Sequence, residues 1–220
     1  MIDNIFVISL ARCSDRREHM ARMMTSIGLD YTLVEAADGN DVEEMSAYSA
    51  DPMAFFQIHN SRRRPTPGEF GCYVSHLMAL EKVLSSGRDW GCIMEDDLKI
   101  TRPAEEIDRI TRRQLTDVPD FDIFYPGKPV MRGTEALLKN PRGSSECIEL
   151  AVPPVGTQCY FVSARFASHI VDNFPTFYRE IDQLYRSIPN NGDTRWLFYA
   201  AKPEDYWVEQ DFKFKSQVRK

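Results

Sequence analysis

The chain has 220 residues, 43% of them hydrophobic, a size that closes one core and predicts a single domain over residues 1–220. A formal net charge of -6 argues against a protein that binds by neutralising phosphates, so nucleic acid is not an expected partner. No apolar run approaches the ~20 residues needed to cross a bilayer, and Met1-Ile2-Asp3-Asn4 lacks a basic secretory start; a soluble protein is expected.

Asn4 to Leu10 is an apolar run of strand length, and Asp15 with Glu18 predicts a helix cap ahead of Met20, Met23, Met24 and Ile27, with Gly28 as the stop. Tyr31 to Ala36 reads as a second strand that turns at Ala37-Asp38-Gly39. Strands alternating with helices imply a largely parallel sheet. The stretch from Ser46 to Arg64 has no period and predicts a long loop, either a lid over a bound ligand or a disordered segment. Thr66-Pro67-Gly68-Glu69 predicts a capping box with proline at the first helical position, opening a helix on Phe70, Val74, Leu77, Met78 and Leu84 that Gly87 ends.

Trp90 to Met94 then forms a short apolar strand that runs into Glu95-Asp96-Asp97, so three acids stand where open α/β sheets bind ligands. The next predicted helix has Pro103 at its start, Glu105 and Glu106 in its first turn and Arg112 and Arg113 in its last. Phe121 to Tyr125 is a strand, and Lys128 to Ser145 has no assignment. Glu146 to Val152 and Gln158 to Ser163 are two strands flanking Pro153 to Thr157, and Phe166, Ile170, Val171 and Phe174 mark an amphipathic helix. Asp182 falls in a further helix, Trp196 to Ala201 is a strand, and a basic tail, residues 213–220, closes the chain. No internal repeat is seen.

The five cysteines, Cys13, Cys72, Cys92, Cys147 and Cys159, are odd in number, far apart and without a CxxC pair. That argues against a zinc knuckle or disulfide framework and for a reducing cytoplasm. Basic residues gather in Arg62-Arg63-Arg64, in Arg109, Arg112 and Arg113, and in the tail. They are either solvated faces or a peripheral contact with the inner membrane surface.

Adjacent carboxylates repel one another unless a cation relieves the charge, and Mg2+ or Mn2+ takes one or two carboxylates together with substrate phosphates and water. Strand alternation would send Glu95 and Asp97 to one side and Asp96 to the other. His76 stands without a second histidine in its helix and reads as a buried hydrogen-bond former beside the pocket, with no partner spaced for a cation. Gly71 and Ser75, four apart on one face, would let their helix approach the acidic loop or simply pack. Gly156-Thr157 is a turn against a sugar or phosphate, or a plain connection. The aromatics Tyr125, Tyr160, Trp196, Tyr206 and Trp207 are expected mostly in the core.

Read together, Ile5-Phe-Val-Ile-Ser-Leu10 with Asp15-Arg16-Arg17, Glu35-Ala-Ala-Asp-Gly39, Thr66-Pro-Gly-Glu-Phe-Gly-Cys-Tyr-Val-Ser-His-Leu77, Ile93-Met-Glu-Asp-Asp-Leu98, Phe121-Asp-Ile-Phe124, Gly156-Thr-Gln-Cys-Tyr-Phe-Val-Ser163 and a final Pro203 with Gln210 resemble glycosyltransferase family 25. Those are the lipooligosaccharide (LPS) biosynthesis transferases, with collagen galactosyltransferases among their relatives. The resemblance implies a GT-A type α/β fold with a mainly parallel mixed sheet. It also implies a UDP-sugar donor, galactose or a close relative, a carbohydrate or glycolipid acceptor, and inversion at the anomeric carbon. By the same resemblance Ser9 of the first strand and Asp38 lie near the nucleotide, and Arg16 or Arg17 near the phosphates. Ser75, His76, Gly156 and Thr157 complete the donor pocket. Asp97 leads as ligand of Mn2+ or Mg2+, with Glu95 and Asp96 on the metal, its water or the ribose. Glu95 departs from the commoner aspartate-any-aspartate pattern. Asp182 is first choice for the base an inverting transfer needs, with Asp193 and Glu209 as alternatives. Two rival readings stand beside this one: a metal-dependent nucleotidyl or phosphoryl transferase, although no Walker-type glycine loop is present, and a non-catalytic carbohydrate-binding protein that retains the fold.

Overall fold

The computed structural model describes residues 2–41, 43, 45, 66–127, 146–177, 179–192 and 195–214. The expected loop at 46–64, the unassigned stretch 128–145, Asp193 and the tail from 215 lie outside the described residues.

Strand β1 (Ile5–Ser9) leads through helix α1 (Ser14–Ile27) to β2 (Thr32–Glu35). Helix α2 (Pro67–Ser85) then carries the chain to β3 (Trp90–Glu95). There follow β4 (Leu98–Ile100), α3 (Ala104–Asp117), β5 (Ile123–Tyr125), β6 (Cys147–Leu150), β7 (Cys159–Ser163), α4 (Ala164–Asn173), α5 (Ile181–Asn190), β8 (Phe198–Ala201) and β9 (Val208–Gln210). Seven strands form one sheet in the order β2-β1-β3-β7-β5-β8-β6. The pairings make β2, β1, β3, β5 and β8 run one way and β7 and β6 the other, so the sheet is mixed and mainly parallel, as expected. β4 and β9 pair antiparallel in a small second sheet that sequence periodicity does not signal.

Alternation along the central strands divides the core between the two faces. Phe6, Ile8, Ile93, Tyr160 and Val162 pack with α2, α4 and α5, whereas Ile5, Val7, Cys92, Met94 and Phe161 pack with α1 and α3. Every residue of β1 is buried, the pattern of a parallel strand covered on both faces.

The local signals are realised unevenly. Thr66 and Glu69 make the reciprocal capping box, with the Glu69 amide donating to Thr66 Oγ1 at 3.1 Å and the Thr66 amide to Glu69 Oε2 at 2.8 Å. Helix α1 instead starts one residue before Asp15, without a side-chain cap, so the Asp15 and Glu18 cap is not formed and Asp15 serves only as a first-turn acid. Helix α3 runs four residues past Arg113, which removes both arginines from its last turn; Arg112 pairs with Asp108, and Arg113 with Glu146 and Asp205. Among the described residues no helix is long and apolar enough to cross a membrane.

Candidate active site

The topology itself makes one edge special. β1 connects through α1 to β2 on one side and β2 connects through α2 to β3 on the other, so the winding reverses at β1 and leaves a crevice at the strands' carboxyl ends. Because β7 is antiparallel to β3, its amino end comes to the same edge, and the Glu95 amide donates to the Gln158 carbonyl at 2.8 Å. The result is a cleft of about 690 Å3. Its wall includes Ser9, Arg16, Asp38, Ser75, His76, Glu95, Asp96, Asp97, Gly156, Thr157 and Asp182. These are the first-choice residues for donor, metal and base, and they share one cavity.

The three acids do not split by strand alternation, because the strand ends at Glu95 and a turn brings Asp96 and Asp97 into the same cleft. Asp96 is consumed by the fold: Arg16 Nη1 donates to its Oδ1 at 2.6 Å and Ser9 Oγ to its Oδ2 at 2.6 Å. Glu95 Oε1 accepts from Thr157 Oγ1 at 2.7 Å and lies 3.4 Å from His76 Nε2. Burial pushes the Glu95 carboxyl up, but His76, Thr157 and Arg16 together outweigh it and hold it below the ordinary range. Asp97 is the least compensated. Its Oδ1 is buried with no hydrogen-bond partner among the described residues, and Arg16 approaches its Oδ2 only to 3.8 Å.

Burial, then the charges of Glu95 and Asp96, push the Asp97 carboxyl up to about 7, against the opposing pull of Arg16 and a hydrogen bond from Gln210. Three acids around one guanidinium, one of them holding an orphaned oxygen, fit a hard divalent cation, which favours oxygen ligands and needs only one or two from protein.

Around this centre, Arg12 Nε donates to Asp38 Oδ2 at 2.6 Å on the rim, and that guanidinium first, with Asn40, holds the Asp38 carboxyl down to about 2 despite partial burial. Ser75 Oγ accepts from the Ala37 amide at 2.9 Å and donates to the Gly71 carbonyl at 2.6 Å. Gly71 has no room for a methyl group: a Cβ would stand 2.6 Å from both the Ala37 carbonyl oxygen and the Gly39 nitrogen. The small face of α2 therefore docks on the Ala37-Asp38-Gly39 turn, the packing alternative of the two readings. His76, 1% exposed, has Nδ1 at 2.9 Å from the Tyr160 hydroxyl, the buried hydrogen bond anticipated for it. Gly156, at φ 98°, turns its amide onto Asp182 Oδ2 at 3.0 Å, and the Gln183 amide donates to Oδ1 at 2.7 Å.

Of the alternative carboxylates, Glu209 pairs with Lys99 at 2.8 Å and does not line this cleft. Arg17 also stands outside the wall, donating to the Ser9 carbonyl at 2.8 Å. Tyr125, Tyr160, Trp196 and Trp207 are core, as expected. The cleft adds residues that sequence reasoning passed over: Arg12, Cys72, Phe212 and Phe214. Cys72 was readable, since it stands one helical turn before His76, and the judgement that His76 has no cation-spaced partner is corrected by it: Cys72, His76 and Glu95 each offer a ligand atom within 4.8 Å of the others. The two phenylalanines carry no local signal, because their position depends on how β9 folds back beside β4. Cys92 and Cys159, distant in sequence, bring their sulfurs within 4.0 Å across β3 and β7.

Residues 2–185 match the profile of Glycosyltransferase family 25 (LPS biosynthesis protein). The human procollagen galactosyltransferase 2 is 28% identical over 140 residues, covering 60% of this chain and 22% of that protein. A rat protein described as a probable inactive glycosyltransferase 25 family member 3 is 30% identical over 129 residues, covering 57% of this chain and 23% of its own length. The chain thus spans less than a quarter of the length of these curated relatives. A solved structure, a glycosyltransferase involved in the glycosylation of the major capsid of PBCV-1, is similar at a TM-score of 0.45 and 10% identity, over 96% of this chain and 93% of that one. With its profile matched over more than half of its length, the chain belongs to glycosyltransferase family 25.

Proposed function

We propose that the chain is a metal-dependent, inverting glycosyltransferase of GT-A type, built as a single domain, that moves a hexose, galactose first, from a UDP-sugar to a carbohydrate acceptor such as lipooligosaccharide. The observation that carries this reading is Asp97, a buried carboxylate with an orphaned oxygen beside two further acids at the sheet's carboxyl edge. Mn2+ or Mg2+ bound there supplies a Lewis acid for the negative charge that grows on the departing nucleoside diphosphate. Asp97 is its anchor and Glu95 the second candidate ligand. Arg16 neutralises Asp96 and keeps that side chain fixed, so the edge stays stiff as charge shifts during transfer.

Ser9, Asp38, Ser75, His76, Gly156 and Thr157 form the donor's surroundings. Asp182 is oriented by the Gly156 and Gln183 amides and takes the proton from the acceptor hydroxyl. A soluble enzyme acting in the cytoplasm, touching the inner membrane surface through its basic groups, fits this acceptor class. Relatives described as inactive match as well as those described as galactosyltransferases, so overall similarity does not decide activity. Release of UDP from UDP-galactose, measured with and without Mn2+, decides it. Wild type should turn over only with metal, while Asp97→Asn and Asp182→Asn should each lose at least a hundredfold, on the order of one catalytic group. Full activity of Asp97→Asn refutes the metal assignment. Pyrophosphate as product favours nucleotidyl transfer, and donor binding that ignores Mn2+ favours a non-catalytic sugar binder.

A further inference from the structure

Cys72 and His76 stand four residues apart on one face of α2, and β3 delivers Glu95 opposite them. One ligand atom from each lies within 4.8 Å of the others, and all three side chains line the cleft. The histidine supplies a second, independent observation. His76 is 1% exposed, and its Nε2 is buried with no hydrogen-bond partner among the described residues; Glu95 Oε1 stands 3.4 Å away. Nε2 thus faces Glu95 Oε1 without a hydrogen bond of good geometry, which leaves this buried nitrogen open to a stronger partner.

The other ring nitrogen is already committed. Nδ1 stands 2.9 Å from the Tyr160 hydroxyl, which is itself 3.2 Å from the Tyr185 hydroxyl. A metal ion would replace the proton on Nε2: with Nδ1–H donating to Tyr160, and Tyr160 to Tyr185, the resulting tautomer turns its Nε2 lone pair toward Cys72 and Glu95. That is the outer-shell arrangement a metal-ligating histidine uses. Thr157 does the same for Glu95, donating to Oε1 at 2.7 Å.

We propose that Cys72, His76 and Glu95 bind a borderline-soft transition-metal ion, zinc(II) first, with a fourth coordination position open to the cleft. Thiolate and imidazole select zinc-class ions over magnesium and manganese, whereas the Asp97 side of the cleft offers oxygen alone. Tetrahedral bonds of about 2.0–2.3 Å put ligand atoms roughly 3.3–3.6 Å apart. The 3.4 Å between His76 Nε2 and Glu95 Oε1 meets that already, and Cys72 Sγ, within 4.8 Å of both, would close the rest on binding. On binding, the Cys72 thiol passes its proton to solvent and ligates as thiolate. The site does not depend on sugar transfer, although it shares Glu95 with the donor-metal set.

Cobalt(II) alone, added to the full metal-free chain, reports the site through thiolate-to-cobalt charge-transfer absorption. One equivalent per chain should give the band, zinc(II) should bleach it by displacement, and magnesium(II) should not. Cys72→Ala should abolish it with unchanged far-ultraviolet circular dichroism, and Tyr160→Phe should weaken cobalt binding about 10–100-fold. Asp97→Asn should keep the band, which separates this site from the donor metal. Absence of the band in wild type, its persistence in Cys72→Ala, or its loss in Asp97→Asn overturns the proposal. Persistence in Cys72→Ala with loss in Cys92→Ala would hand the signal to the Cys92 and Cys159 pair, which also overturns it.

Discussion

Replacing Asp97 by asparagine should stabilise the metal-free protein at alkaline pH while removing its response to metal. Folded Asp97 keeps its proton up to about pH 7, whereas the ordinary value is 3.8, because the carboxylate is buried among Glu95 and Asp96 with Arg16 as the nearby cation. The folded state is therefore favoured by this group below pH 3.8, and that contribution is lost as pH rises through about 7. Each tenfold gain in proton affinity on folding corresponds to about 1.4 kcal/mol, so the metal-free protein carries a penalty of up to about 4 kcal/mol above pH 7. Asparagine is nearly isosteric and uncharged, so urea denaturation in chelator at pH 8 should find Asp97→Asn more stable by a large fraction of that figure. The difference should vanish near pH 3.5. A divalent cation at a hundredfold excess over its Kd should restore about 2.7 kcal/mol to wild type and nothing to the variant. If Asp97→Asn is the less stable protein at pH 8 in chelator, the carboxylate is compensated in a way this electrostatic argument omits, and the cation site loses its physical basis.

Gly71→Ala should cost about 1–3 kcal/mol, since the new methyl meets main-chain atoms of Ala37 and Gly39 that cannot rotate away; an unchanged denaturation midpoint would mean the turn is not held against α2. Asp122→Ala should cost about 1–3 kcal/mol, because the wholly buried carboxylate accepts from the Leu197 amide at 2.8 Å, from Ser163 Oγ at 3.1 Å and from Arg165. Charge is not the main contribution there, as the Arg165 side chain is 59% exposed, so the loss should persist in high salt. Thr66→Ala should lower stability by about 1 kcal/mol, and Thr66→Ser should recover most of it, both read from denaturant midpoints, since what is lost is one capping acceptor.

Where the physics is local, the sequence is legible. Thr66 and Glu69 cap the helix between them, and the apolar runs at β1 and β3 are long enough to be buried on both faces. Where a partner comes from far along the chain, it is not. Nothing near Leu98 announces that it pairs with Gln210, and without that pairing neither β4 nor the approach of Phe212 to the cleft can be foreseen. Alternation misled at Asp96 because it holds only while the strand lasts, and β3 stops one residue earlier. The block Phe121-Asp-Ile-Phe124 shows a different gap: it helps identify the family, yet its acid ties β5 to α4 and to the approach of β8 and does not reach the cleft. A motif records that a residue is needed, and only its contacts say for what.

The acids of Glu95-Asp96-Asp97 have unequal surroundings, and this asymmetry is what lets the cleft hold them. If all three were bare, their mutual repulsion in a buried site would exceed what a marginally stable fold tolerates. Arg16 and Ser9 take the middle acid out of play at 2.6 Å each, and Thr157 and His76 settle the first. The uncompensated charge is thereby concentrated on Asp97, the one position where a cation gains most and the metal-free protein suffers most. Removing Arg16 should consequently damage the fold and the acid triplet together, whereas removing Asp97 abolishes the cation response while relieving the buried charge. A substitution series that separates those two effects would show that one arginine, from the first turn of α1, decides which acid of the triplet remains available to a ligand.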